Sequence, residues 1–171
     1  MDRSRADHMG MLATVMNALA LCDVFEQNGV DARVMTSVPM HGFGEAFSKE
    51  EAVRHLNDGC VVIFGCGTGN PYFTTDTAGV LKALEIDAEA ILLAKNIDGV
   101  YSADPNKDPG AVKYDTITYD EMLAKHLAVM DTAATSMAME NNLPVEVFAL
   151  KDPQNIVRVV CGHKIGTSVT N

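Results

Sequence analysis

The sequence predicts an α/β fold, a mostly parallel sheet with helices on both faces, and three observations predict it. Short apolar runs of strand length alternate with helical patterns along the chain. Two of those runs, at 60–64 and 90–94, are uninterrupted, as in strands covered on both faces. A glycine-rich loop follows the first of them, at the strand end where open α/β sheets bind ligands.

The elements follow in order. Met9, Leu12, Met16, Leu19 and Val24 recur at near-helical spacing and predict a helix over 7–27, closed by Asn28-Gly29. Residues 32–38 read as a strand stopped by Pro39, and 40–47 as loop. Ser48-Lys49-Glu50-Glu51 is a capping box opening a helix to about Asn57. The strand 60–64 leads through the glycine loop to a helix over 75–86, and the strand 90–94 follows. Thr118-Tyr119-Asp120-Glu121 is a second capping box, for a helix to about His126. Asp131 can cap a helix ending near Asn141-Asn142. A strand over 145–150, a helix over 155–161 and a short edge strand over 167–169 complete the chain.

Composition bounds the function. A chain of 171 residues, 47% of them hydrophobic, suits one domain over 1–171 with a real core. The formal net charge of −10 disfavours nucleic acid and anionic lipid as partners. No apolar run approaches the roughly 18 residues of a membrane span, and 1–7 carries no apolar signal core, so a soluble, cytoplasmic protein is expected. Cys22, Cys60, Cys66 and Cys161 lack a C-x-x-C spacing and read as buried free thiols. The five histidines, His8, His41, His55, His126 and His163, form no i,i+4 pair with one another and read as surface or core residues; no metal site is expected.

The chemistry concentrates in Gly65-Cys66-Gly67-Thr68-Gly69-Asn70-Pro71-Tyr72-Phe73-Thr74-Thr75-Asp76. Glycines let backbone N–H groups approach phosphate oxygens, and the following helix points its positive end at the same place. The plainer alternative is a turn whose threonines cap a helix. Neither G-x-G-x-x-G nor G-x-x-x-x-G-K-[ST] is present, so the dinucleotide and P-loop fingerprints do not apply.

The string 67–76 resembles the uridylate-binding segment of bacterial UMP kinases, members of the amino acid kinase superfamily. Three further stretches share the resemblance. Asp2-Arg3 with Ala6-Asp7-His8-Met9-Gly10-Met11-Leu12-Ala13-Thr14 is similar to the family's D-R-x-x-A-D-x-M-G-M-L-A-T helix. Lys95-Asn96-Ile97-Asp98-Gly99-Val100-Tyr101-Ser102-Ala103-Asp104-Pro105 is similar to its K-x-x-D-G-V-Y-x-A-D-P loop, and Val129-Met130-Asp131-Thr132-Ala133-Ala134 to its V-M-D-x-A-A helix start.

The resemblance implies roles. Asp7 would accept hydrogen bonds from the UMP ribose hydroxyls. Thr68, Gly69, Asn70, Pro71, Tyr72, Phe73, Thr74 and Thr75 would wrap the uracil and α-phosphate. Asn96, Tyr101 and Asp104 would hold the adenine and ribose of ATP, with Lys95 an alternative to Asn96. Asp76 and Asp131 would position Mg²⁺ or the cationic groups on the transferring phosphate, Asp131 being equally readable as a plain N-cap. A homohexamer regulated by GTP and UTP, working in pyrimidine nucleotide biosynthesis, is also implied. The family's K-L-S-G-E and G-G-G-N loops have no counterpart here, so the chain is expected to be the C-terminal portion of such an enzyme, and a poor kinase alone. A catalytically silent nucleotide-binding or subunit-association module is the alternative. A kinase acting on a carboxylate such as glutamate or aspartate is a third reading, against which the Tyr-Phe-Thr-Thr string argues.

Overall fold

In the computed structural model, which describes residues 1–127 and 129–171, the chain forms two compact units, Met1–Ile86 and Asp87–Asn171. The first unit opens with α1 (Arg3–Gln27), four residues earlier than the periodicity predicts. The Asp2 side chain accepts the Arg5 N–H and caps the helix there. The apolar stripe that marks this helix in the sequence faces outward: Met9, Leu12, Met16 and Val24 are all more than half exposed. Val15 and Ala18 are the buried positions. They pack on the end of a strand at Gly65, where an added Cβ would meet Val15 Cα at 3.4 Å. Small residues on both sides let helix and strand approach closely.

That strand is β3 (Val61–Gly65), which pairs in parallel with β1 (Ala32–Thr36). On the other edge of β1 lies β2 (Glu45–Ala46), also parallel, inside a stretch the sequence reads as loop. Two residues are too short for a pattern to show; the Phe47 N–H to Thr36 carbonyl bond, 3.0 Å, prolongs the pairing. Helix α2 (Lys49–Asn57) starts at Ser48, whose hydroxyl accepts the Glu51 N–H. Glu51 turns its carboxylate to Arg54, so only half of the expected capping box forms. Helix α3 (Thr75–Glu85) ends the unit.

In the second unit β4 (Ile91–Lys95) pairs in parallel with β6 (Val145–Ala149). β7 (Thr167–Thr170) runs antiparallel to β6, and β5 (Thr116–Thr118) pairs in parallel with β7, giving the order β4-β6-β7-β5. Two expectations change here. β7 lies inside the sheet instead of at its edge, with Val169 fully buried. β4 is not covered on both faces, since Leu92 and Ala94 point outward; β3 likewise is only half-buried along 61–64. Gly166 explains the tight entry to β7: a Cβ there would fall 1.9 Å from the Val147 carbonyl oxygen.

Helices α4 (Tyr119–Ala124), with its complete Thr118–Glu121 capping box, α5 (Thr132–Glu140) and α6 (Gln154–Val160) match the predicted positions. Tyr119 is fully buried and donates to the Leu143 carbonyl; burial pushes its hydroxyl up to about 12. Among the described residues, four of the five strand pairings are parallel, as expected.

One compositional expectation fails. Only Cys66 is buried; Cys22 and Cys60 are half-exposed and Cys161 caps the exposed α6. α1 is long and apolar enough on average to pass, by length and composition only, for a membrane span, as the helix of a globular domain also can. Gly10, Thr14 and Asn17 break every continuous run, which hides the average from a run-length reading.

Candidate functional site

The loop leaving β3 is shaped by backbone in the left-handed region: Cys66, Gly67, Gly69 and Tyr72 have φ of 71°, 56°, 78° and 73°. Gly69 is required there, because a Cβ would also crowd Val38 Cγ2 at 3.2 Å. Tyr72 has no such freedom, and the conformation costs about 1–2 kcal/mol. Its N–H donates to Asp7 Oδ2 at 2.8 Å, a contact that offsets the strain and ties the loop to α1.

Two more bonds fix the loop from afar. The Cys66 N–H donates to Thr14 Oγ1 at 2.9 Å, and Ser37 Oγ donates to the Gly67 carbonyl at 2.6 Å. Thr74 then caps α3, its hydroxyl accepting the Asp76 and Thr77 N–H groups. The walls enclose a cleft of about 270 Å³.

Asp7 is the charged centre of this cleft. Both of its oxygens lie 2.9 Å from Arg3 Nε, and the Arg3 guanidinium sits 5.4 Å above the Tyr72 ring. The Tyr72 N–H first, and Arg3 after it, hold the Asp7 carboxyl below its ordinary value. A carboxylate kept ionised and oriented is a ready acceptor for paired hydroxyls.

The structure brings Asp7, Thr68, Asn70, Phe73, Thr74 and Thr75 together as walls of the cleft. Gly69, Pro71 and Tyr72 shape the loop without lining the space. Asp76, in the first turn of α3, stands one residue beyond the lining. Gly10, Met11 and Thr14 were not singled out, yet they line the cleft. A signal for them existed: 7, 10, 11 and 14 share one helical face, and Gly10 leaves open space where a side chain would stand.

In the second unit Tyr101 and Asp104 line a cleft of about 410 Å³, together with Lys125 and His126. Asn96 lines a neighbouring one of about 640 Å³ with Lys95 and Lys151. The two share Ile97, Pro105 and Val129, so the three predicted residues surround one loop. Tyr101 donates to Asp98 Oδ1 at 2.8 Å, which raises the phenol above its ordinary value. Partial burial pushes the Asp98 carboxyl up, but the Tyr101 hydroxyl and the Lys113 ammonium together outweigh it and leave it low. Asp104 accepts the Asn106 N–H at 3.0 Å and pairs with Lys107 at 3.2 Å, in that order of effect, and its carboxyl is lowered too. Asp131 takes the capping role, Oδ1 accepting the Ala134 N–H at 2.9 Å.

An α/β chain with parallel strands and a left-handed glycine loop ending at a helix N-terminus has the arrangement with which such folds can hold a phosphate group. The Amino acid kinase family profile matches residues 1–149, a span that crosses both units. The chain belongs to the amino acid kinase family. Uridylate kinase of Porphyromonas gingivalis is 53% identical over 170 residues, covering 99% of this chain and 71% of that protein. The crystal structure of UMP kinase from Bacillus anthracis superposes with a TM-score of 0.96 at 38% identity, over 99% of this chain and 70% of that one. UMP kinase from Ureaplasma parvum gives 0.96 at 37%, over 100% and 73%. Uridylate kinase from Archaeoglobus fulgidus gives 0.75 at 29%, over 99% and 74%. The resemblance read from the motifs is borne out, and so is the fold class.

Proposed function

We propose that this chain is a UMP kinase polypeptide, a phosphoryl transferase that converts ATP and UMP to ADP and UDP. The observation that carries this is the 53% identity to a uridylate kinase over 170 residues. The first cleft supports it: an ionised, oriented carboxylate at Asp7 faces threonine hydroxyls and the α3 N-terminus, which suits a ribose beside a phosphate. Asp7 takes the ribose hydroxyls, and Thr68 through Thr75 take uracil and α-phosphate. Asn96, Tyr101 and Asp104 take the adenine and ribose of ATP.

Phosphoryl transfer asks the protein mainly for positioning and charge stabilisation. Asp76 and Asp131 each carry hard oxygen donors of the kind Mg²⁺ prefers, and one oxygen of Asp131 also caps α5. When bound, Mg²⁺ neutralises charge on the phosphates. The same reading makes residues 1–171 one amino acid kinase-like domain working in pyrimidine nucleotide biosynthesis in the cytoplasm. The exposed apolar face of α1, with Met9, Leu12 and Met16, supports a homo-oligomer, a hexamer in this reading, with GTP and UTP as regulators.

The test is UDP formation from ATP, UMP and Mg²⁺, run beside glutamate and aspartate as acceptors. Slow UDP formation, well below the turnover of an ordinary enzyme, with silence on the carboxylates is the expected result. Phosphorylation of a carboxylate and none of UMP would overturn the reading. UMP binding without turnover would assign the chain to the catalytically silent module.

A further inference from the structure

Helix α2 carries Glu51 and His55 four residues apart, on one face, and β2 brings Glu45 beside them. Ser48 sets the first turn of the helix by accepting the Glu51 N–H at 3.2 Å. The His55 side chain is only 8% exposed, whereas Glu45 keeps 45%. His55 Nε2 lies 2.9 Å from Glu45 Oε2. Glu51 adds a second carboxylate, held by Arg54 through Oε2. One ligand atom from each of the three residues lies within 4.8 Å of the others. None of the three lines the Asp7 cleft.

We propose that Glu45, Glu51 and His55 form a binding site for a borderline divalent transition-metal cation, of which Zn²⁺ is the best fit. The donor set decides the class. An imidazole nitrogen with two carboxylates suits Zn²⁺, while Mg²⁺ prefers oxygens alone and keeps its waters. Two ligands about 2.0–2.2 Å from a tetrahedral ion stand roughly 3.3 Å apart, so the His55–Glu45 pair needs to open by only a few tenths of an ångström. The ion takes the place of the hydrogen between Nε2 and Oε2, and that proton moves to Nδ1 or to water.

Glu51 must share its carboxylate with Arg54. That ion pair is about half exposed on both sides, the kind that holds little energy. The fourth position is left to water, as in sites with three protein ligands. Bound metal would fasten the two-residue strand β2 to α2, and the folded unit alone would present the site. Metal binding would therefore raise the melting temperature.

The test uses the full chain, stripped with a chelator and titrated with Zn²⁺ by calorimetry in excess Mg²⁺, with Co²⁺ absorption as a probe of coordination. The expected result is one Zn²⁺ per chain, an affinity indifferent to Mg²⁺ and a higher melting temperature. Losing even an outer-shell partner of a metal site costs about 10–100-fold in affinity. His55→Gln should therefore weaken Zn²⁺ by at least that range and Glu45→Gln by tenfold or more. Glu45 is on the exposed edge, so its variant carries the test if the buried His55 variant does not fold. His163→Gln, an exposed histidine of the other unit, should leave the affinity unchanged. Absence of Zn²⁺ binding, or equal binding by the Glu45 and His55 variants, would overturn the proposal; equal binding would assign the metal to exposed groups such as Cys161.

Discussion

The two candidate site loops are held in place in opposite ways. The loop 66–75 is fixed by partners 30, 52 and 65 residues away: Ser37, Thr14 and Asp7. The loop 96–106 is held largely by its own neighbours, through Tyr101–Asp98, Asp104–Asn106 and Asp104–Lys107. A long-range frame orders a cleft when the unit folds. A chain of local turns shapes a loop that each residue supports only slightly. Substitutions should therefore act strongly and at a distance in the first region, and weakly and locally in the second.

The largest effect is expected at Gly69. Valine there must hold φ near 78° and press on Val38, a strain of about 1–3 kcal/mol that the loop relieves by leaving its shape. UMP affinity should fall by roughly 10–100-fold or more while circular dichroism stays that of the parent. Normal UMP binding by a folded Gly69→Val protein would mean that the loop is not the cradle.

Thr14→Val comes next. It keeps the side-chain shape but leaves the Cys66 N–H without its acceptor. An orphaned buried donor costs about 1–3 kcal/mol, which denaturant titration would read directly. A loss below about 0.5 kcal/mol would say that the long-range frame matters little.

A subtler probe is the Asp7 carboxyl, followed by carbon NMR. It should titrate below its ordinary value of 3.8. Because the folded value is the lower one, the contribution to stability is present above 3.8 and is lost as pH falls through the folded value. Arg3→Ala should raise the titration only part of the way, since the Tyr72 N–H is the larger cause. A full return to 3.8 would make Arg3 the true anchor.

Tyr101→Phe should do least. It removes one exposed, local hydrogen bond and keeps the ring, so stability should change by less than about 1 kcal/mol and ATP affinity by less than about fivefold. A larger loss of ATP would show that the phenol itself binds nucleotide.

Motifs were more legible than packing. Thr118–Glu121 announced its helix because a capping box is a local contract between residues three apart. The walls Thr68, Asn70, Phe73, Thr74 and Thr75 were legible because they are contiguous. Thr14 was missed because its partner lies 52 residues away. The direction of the α1 stripe was not legible for a related reason. Periodicity reports that a helix has an apolar face, and the neighbour it meets lies elsewhere in the sequence; here Gly65 selects the side bearing Val15 and Ala18. β2 was too short to announce itself, and the central place of β7 depends on pairings with β5 and β6 that no single stretch encodes.

The central claim, that Asp7 and the loop it ties form the uridylate side of a kinase, is tested most directly by titrating UMP and ATP separately into the parent chain and Asp7→Ala. The alanine variant loses the charge-assisted hydrogen bonds that the carboxylate would make to the ribose hydroxyls. UMP should therefore weaken by roughly 10–100-fold while ATP changes little. UMP affinity unchanged by the substitution, or ATP weakened as much as UMP, would contradict the account.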